Sequence, residues 1–209
     1  MLKHAIALTA LLAACGEHTS PVEHDAPAAA PDMPAGHEMP APADAKAGMD
    51  QMFIDMMVPH HQGALDMAKI AQERAEHPEL KAMAAGMLTS QQAEIDQLKS
   101  WRKAWFGSDQ VPPMAAHSGH ADMPGMKGMG NMQADIEKLK TATPFDLAFF
   151  DAMIPHHQGA VDMVAAIPGE RPEVKQLSAK IVADQQKEIA QMQEWRKAWY
   201  PDANAPATH

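Results

Sequence analysis

Phe53-Ile54-Asp55-Met56-Met57-Val58-Pro59-His60-His61-Gln62-Gly63-Ala64-Leu65-Asp66-Met67 returns later in the chain as Phe149-Phe150-Asp151-Ala152-Met153-Ile154-Pro155-His156-His157-Gln158-Gly159-Ala160-Val161-Asp162-Met163. The two copies stand 96 positions apart, and the likeness extends well beyond them. Pro78 is answered by Pro172, Gln91-Gln92 by Gln185-Gln186, Glu94-Ile95 by Glu188-Ile189, and Trp101–Phe106 by Trp195–Tyr200, all at an offset of 94. Self-similarity of this length marks a duplicated structural unit. The unit reads as one helical hairpin, present twice.

On a helical wheel Phe53, Met56, Met57, His60, His61, Ala64 and Met67 gather on one face, as an amphipathic helix requires. Asp55, Gln62, Asp66 and Lys69 fall opposite. This first helix is expected from Met49 to about Glu76, with Pro59 either kinking it or opening a new helix as an N1 residue. A second helix starts at Pro78 and runs to Phe106, placing Leu80, Met83, Met87, Gln91, Glu94, Leu98, Trp101 and Trp105 on one side. A third follows Thr143 as N-cap and Pro144 as N1 and stops at Pro168-Gly169. A fourth runs from Pro172 to before Pro201, its inner face carrying Val174, Leu177, Ile181, Gln185, Glu188, Met192, Trp195 and Trp199. No stretch alternates with period two. The expected fold is all-α, an antiparallel four-helix bundle made of two duplicated hairpins, residues 49–106 and 132–200. A short helical turn over Met132 to Lys140 leads into the third helix.

The start of the chain has an address. Lys3 precedes an apolar run from Ala5 to Ala14, too short to span a bilayer and shaped like a cleaved export signal over residues 1–14. Leu12-Ala13-Ala14-Cys15-Gly16 resembles the lipobox of bacterial lipoproteins, which would lipidate Cys15; the other reading is a plain signal with a chance cysteine. An exported protein of the bacterial cell envelope is expected, lipid-anchored in the periplasm or on the cell surface. Cys15 is the only cysteine, so no intramolecular disulfide can form. Residues 15–48, rich in Ala, Pro and acidic groups, read as a disordered tether, and residues 201–209 as a tail. Without Lys3 the chain carries 16 basic against 27 acidic residues, a net charge of −11. That excludes nucleic acid as a partner, and leaves the lipid anchor as the sole membrane attachment.

Methionine is the more telling residue, with 18 copies against ten aromatic side chains. Met57, His60, His61 and Met67 form one candidate set, and Met153, His156, His157 and Met163 the other. Met57 lies i,i+3 from His60 and i,i+4 from His61, so these side chains are helical neighbours. Imidazole with thioether suits soft monovalent copper, and by the same softness Ag(I). Core-filling methionines around satisfied histidines are the bland alternative, which two duplicated inward pairs make hard to sustain. Gln91, Glu94, Gln185 and Glu188 sit on the apolar faces and need partners, for which the histidines are the obvious choice. Glu94 and Glu188 would orient an imidazole by accepting its N–H, or ligate directly, which favours a harder ion.

Between the hairpins, residues 107–131 form a linker rich in Met, His and Gly. Met114, His117, His120, Met123, Met126, Met129 and Met132 punctuate it or lie at its end, the last four methionines at every third position. Glycines and Pro124 exclude a packed helix there, so these thioethers read as an accessory metal-capture segment rather than as core.

The duplicated M-[IV]-P-H-H-Q-x-A-[IVL]-x-M pattern, each copy preceded by an acidic residue and followed by Q-x-x-E-I and a terminal tryptophan, resembles domain of unknown function family 305. The resemblance covers roughly Met49 to Tyr200. It implies a likeness to ferritin-like four-helix bundles and to periplasmic copper-binding proteins. Met56, answered by Ala152, cannot belong to a symmetric site, and the Glu-x-x-His motif of di-iron bundles is missing. The expected function is therefore binding, not catalysis: an envelope protein that holds Cu(I) or Ag(I) for sequestration, delivery or tolerance. Other copper-handling proteins of the envelope are candidate partners. A ferritin-like metal-dependent oxidoreductase is the alternative. With imidazoles as principal ligands, release is expected on acidification from about pH 7 to 5, through the reference histidine pKa of about 6.5.

Overall fold

The computed structural model describes residues 45–112 and 132–204, and every structural statement below concerns these. The export signal with Cys15, the tether as far as residue 44, Met114, His117, His120, Met123, Met126 and Met129 lie outside them.

The described chain is all-α: α1 (Ala45–Arg74), α2 (Pro78–Phe106), α3 (Met132–Leu139), α4 (Phe145–Ala166) and α5 (Pro172–Trp199), then a 3-10 turn over Pro201–Asn204. No strand occurs among the described residues. None of these helices is long and apolar enough to cross a membrane. Pro78 and Pro172 occupy the first turns of α2 and α5, where the missing N–H costs nothing. α2 stops at Gly107, in the left-handed region at φ 79°, whose N–H returns to Lys103.

α1 begins ahead of the expected Met49 and stays one helix through Pro59. An internal proline costs about 3 kcal/mol. On either side of it Phe53, Met57, Leu65 and Met67 are almost wholly buried, each contributing about 1.5–3 kcal/mol. Burial wins, and the reading of Pro59 as a helix start is set aside. α4 likewise continues through Pro155. The expected cap at Thr143 is also corrected. Pro144, in extended conformation, is the N-cap residue and makes no side-chain cap bond.

α1 packs on α2, α4 on α5, and α1 on α4. Within the first hairpin Asp55 meets Arg102 and His61 meets Glu94; within the second Asp151 meets Arg196 and His157 meets Glu188. Earlier residues on one helix thus meet later residues on the next, so each hairpin is antiparallel. Asp55 is therefore not on the solvent side, as its wheel position suggested. Its carboxylate is 8% exposed and 2.5 Å from Arg102 Nε, whereas Asp151 in the matching pair is 53% exposed. A buried pair is costly to break and an exposed one contributes little.

Two carboxylates, equivalent under the repeat, staple the hairpins together. Asp146, fully buried at the start of α4, accepts from Glu76 N–H at 2.8 Å, His77 N–H at 3.0 Å and the His77 ring at 2.7 Å. Glu76 in turn accepts from Phe145 N–H. On α1, Asp50 accepts from Glu170 and Arg171 N–H. Each carboxylate thus satisfies orphan amides that precede a helix of the other hairpin. Asp146→Ala is expected to cost about 1.5–3 kcal/mol, because charge-assisted bonds to buried amides are lost. Urea unfolding checks this; a change below about 0.5 kcal/mol, the ordinary surface value, would show that the staple is idle.

α3 packs on α1 and α4. Met132, read with the linker, is half-buried, and its thioether occupies the space a side chain at Gly63 would need. That corrects the linker reading for Met132: it packs against α1.

Candidate metal centre

The apolar interior forms two clusters. One contains Phe53, Met57, Ile95, Leu98, Met163 and Ile181; the other Met67, Met87, Phe149, Phe150, Met153 and Met192. Met57 of one repeat thus shares a cluster with Met163 of the other, and Met67 with Met153. All four thioethers are almost wholly buried.

His60 and His156 meet where α1 crosses α4, their ring centroids 3.9 Å apart and tilted by 40°. Successive helical residues diverge by about 100°, so His61 and His157 cannot share that direction. Their rings lie 6.4 and 6.2 Å from those of His60 and His156. Each is drawn instead to its own hairpin: His61 Nε2 is 2.8 Å from Glu94 Oε2, and His157 Nε2 is 2.7 Å from Glu188 Oε2. The four histidines therefore divide into a central pair and two flanking His–Glu pairs.

The central pair is short of partners. Neither ring nitrogen of His60 or His156 makes a hydrogen bond among the described residues, nor does Nδ1 of His61 or His157. Gln91 is 3% exposed with both side-chain polar atoms unbonded, and Gln185 is 2% exposed with an unbonded Oε1. The expectation that the histidines satisfy Gln91 and Gln185 is thus corrected: of these four imidazoles, the only nitrogens bonded among the described residues go to the glutamates. Each buried polar group left unmade costs about 1–3 kcal/mol, and so many in one place call for a ligand.

Burial, helped by His61 and His157 nearby, lowers the pKa of His60 to about 3; the backbone of His156 offsets a small part without forming a proper hydrogen bond. Burial and the other histidines also hold His156 well below the usual value. Both rings are neutral at pH 7, the form that donates to a metal. Burial alone would raise the Glu94 carboxyl, but hydrogen bonds from His61 and then Lys180 outweigh it and lower its pKa.

No three His, Cys, Asp or Glu side chains among the described residues form a group able to hold an ion. Among the described residues no such group offers a closed site to a hard divalent cation. A pair of neutral imidazoles with buried thioethers close by is instead a soft donor set, and the orphaned nitrogens fit it.

Several residues of the site escaped the sequence reading. Lys180 Nζ donates to Glu94 Oε1 at 2.8 Å and to Asp184 Oδ2 at 2.8 Å. Asp50, Asp146, Arg102 and Arg196 hold the helices in register. Their signal was the repeat, since Asp50 answers Asp146 at an offset of 96 and Arg102 answers Arg196 at 94.

The sequence pattern described as "Domain of unknown function (DUF305)" matches residues 50–202. Among solved structures, CopM in the Cu(I)-bound form is 41% identical over 72% of this chain and 97% of its own, with a TM-score of 0.61. CopM has also been solved in apo, Ag-bound and Cu(II)-bound forms. A DUF305 fragment from Deinococcus radiodurans is 30% identical over 70% of this chain and 93% of its own, with a TM-score of 0.59. The uncharacterized protein L153 of Acanthamoeba polyphaga mimivirus is 35% identical over 51 residues, so the chain spans only about a third (34%) of that relative.

Proposed function

We propose that this chain, which belongs to the DUF305 family, is a binding protein for Cu(I), and for Ag(I) by the same chemistry, rather than an enzyme. The specific site is the His60–His156 pair with thioethers drawn from Met57, Met67, Met153 and Met163. Glu94 and Glu188 orient His61 and His157 beside it. Two antiparallel hairpins closing as a four-helix bundle would keep the site dry. The segment with Met114, His117, His120, Met123, Met126 and Met129 serves as an accessory, weaker collector, on a protein exported and lipid-anchored in the bacterial envelope. Its role there is metal sequestration, delivery or tolerance. The observation carrying this reading is the four orphaned ring nitrogens of His60 and His156, buried on two helices whose methionines belong to the apolar interior. The bound forms of CopM, 41% identical, support the choice of metal.

A ligand that binds only the folded state raises stability, by about 2.7 kcal/mol at a free concentration a hundred times its Kd. For a chain of this size the melting temperature should then rise by about 5–10 °C with Ag(I). Zn(II) at the same free concentration should do much less. Scanning calorimetry or circular dichroism reads both. An unchanged melting temperature with Ag(I) overturns the proposal in favour of a purely structural core.

A further inference from the structure

Among the described residues, two half-buried methionines pack on the apolar cluster that contains Met67 and Met153: Met83 on α2, and Met132 at the start of α3. They are placed differently. α3 packs on both α1 and α4, the helices whose crossing holds His60 and His156. The Met132 thioether lies against α1 at Gly63, where a Cβ would overlap its sulfur, so glycine there is what lets the side chain reach the helix. Gly63 and His60 are i,i+3 neighbours on one helical face. On its outer side Met132 borders a cleft of about 380 Å³, together with Pro59, Gln62 and Gly63 among others. One side chain thus connects an open cleft with the interior that carries the proposed donors.

Resting on the proposed metal site, we infer that Met132 is the receiving ligand for a soft monovalent cation: its thioether takes the ion at the cleft and hands it to Met67, Met153 and the buried imidazoles. A lone thioether is a soft donor without the further ligands that would retain the ion, which suits transfer rather than storage. Charge does not make the route. Asp66 and Asp109 border the cleft, but so does Lys99, and Asp66 pairs with Lys69 at 2.9 Å. Selection rests on sulfur, which favours Cu(I) and Ag(I) over hard cations.

Met132→Leu keeps the volume and removes the soft donor. Gly63→Ala keeps the sulfur and moves it off the helix. Met83→Leu, which removes the other half-buried thioether of the cluster, is the control. Cu(I) transfer from a chromogenic chelator complex to the full chain is followed by stopped flow, and the end point gives affinity. Expected for M132L and G63A is loading slower by about tenfold, within the roughly one to three decades over which association rates of related variants spread. Affinity and stoichiometry should be unchanged, and M83L should load like the wild type. In methyl-labelled methionine spectra of the wild type, the Met132 signal should shift at the first substoichiometric addition of Ag(I). An unshifted Met132 signal, or a wild-type loading rate in M132L, overturns the receiving role while leaving the metal site standing; should M132L fail to fold, the G63A rate decides in the same way. Equal slowing in M83L makes the effect general to the cluster and also overturns it. Loss of affinity in M132L places the residue in the resting site and overturns the hand-over. A wild type that takes up no Cu(I) overturns both readings.

Discussion

Replacing His60 and His156 together by leucine is expected to abolish the tightest Cu(I) site while making the metal-free protein more stable. Leucine is near histidine in size, and it removes four ring nitrogens that find no partner among the described residues. Relief of even part of that burden, at about 1–3 kcal/mol per buried unsatisfied group, should outweigh any repacking. Losing a partner that merely orients a ligand costs 10–100-fold in metal affinity, so losing two donors should cost at least about 100-fold, or about 2.7 kcal/mol. Chelator competition reads the affinity and chemical denaturation the stability. The opposite pairing, retained affinity with lowered stability, would mean that the histidines are structural.

The second large effect is in pH. The sequence alone suggested that metal would be released between about pH 7 and 5, through the reference histidine value of about 6.5. Burial changes that expectation, because His60 titrates at about 3 in the fold and His156 well below its ordinary value. Protons therefore do not compete for these rings at pH 5, and Ag(I) bound at pH 7 should stay bound; release at pH 5 in equilibrium dialysis would contradict the assignment. The same shift predicts the stability of the metal-free protein. An unfolded chain takes up a proton at His60 below about pH 6.5 while the folded one does not, so stability falls as pH drops from about 6.5 toward 3. The slope is about 1.4 kcal/mol per pH unit for His60, and steeper with His156. Between pH 6.5 and 5, above the carboxylate range, denaturation of the wild type should show this slope and the double leucine variant should not.

Much of the helical framework was legible. Pro78 and Pro172 mark the starts of α2 and α5 because a first-turn proline loses nothing there. The offset of 96 between the HHQGA segments announced the duplicated hairpin. Pro59 was ambiguous because helix breaking is a local cost, whereas the burial that overcomes it comes from other helices. Asp55 was misplaced for a similar reason: the wheel knows one helix, and its partner Arg102 lies on another. The division of labour within each His-His pair follows from 100° per residue, yet which neighbour each ring meets depends on where α4 and α2 lie. Gln91 could not be read as unpartnered, since its bonding is decided by what Glu94 already occupies.

The central claim is that buried imidazole and thioether together hold the ion. X-ray absorption at the copper edge, on the full chain loaded with one equivalent of Cu(I), tests it most directly. Expected is a mixed first shell of nitrogen and sulfur whose nitrogen component disappears in the His60→Leu, His156→Leu variant. A shell of sulfur alone in the wild type, or one unaltered by the double substitution, would contradict the claim and place the metal away from the histidines.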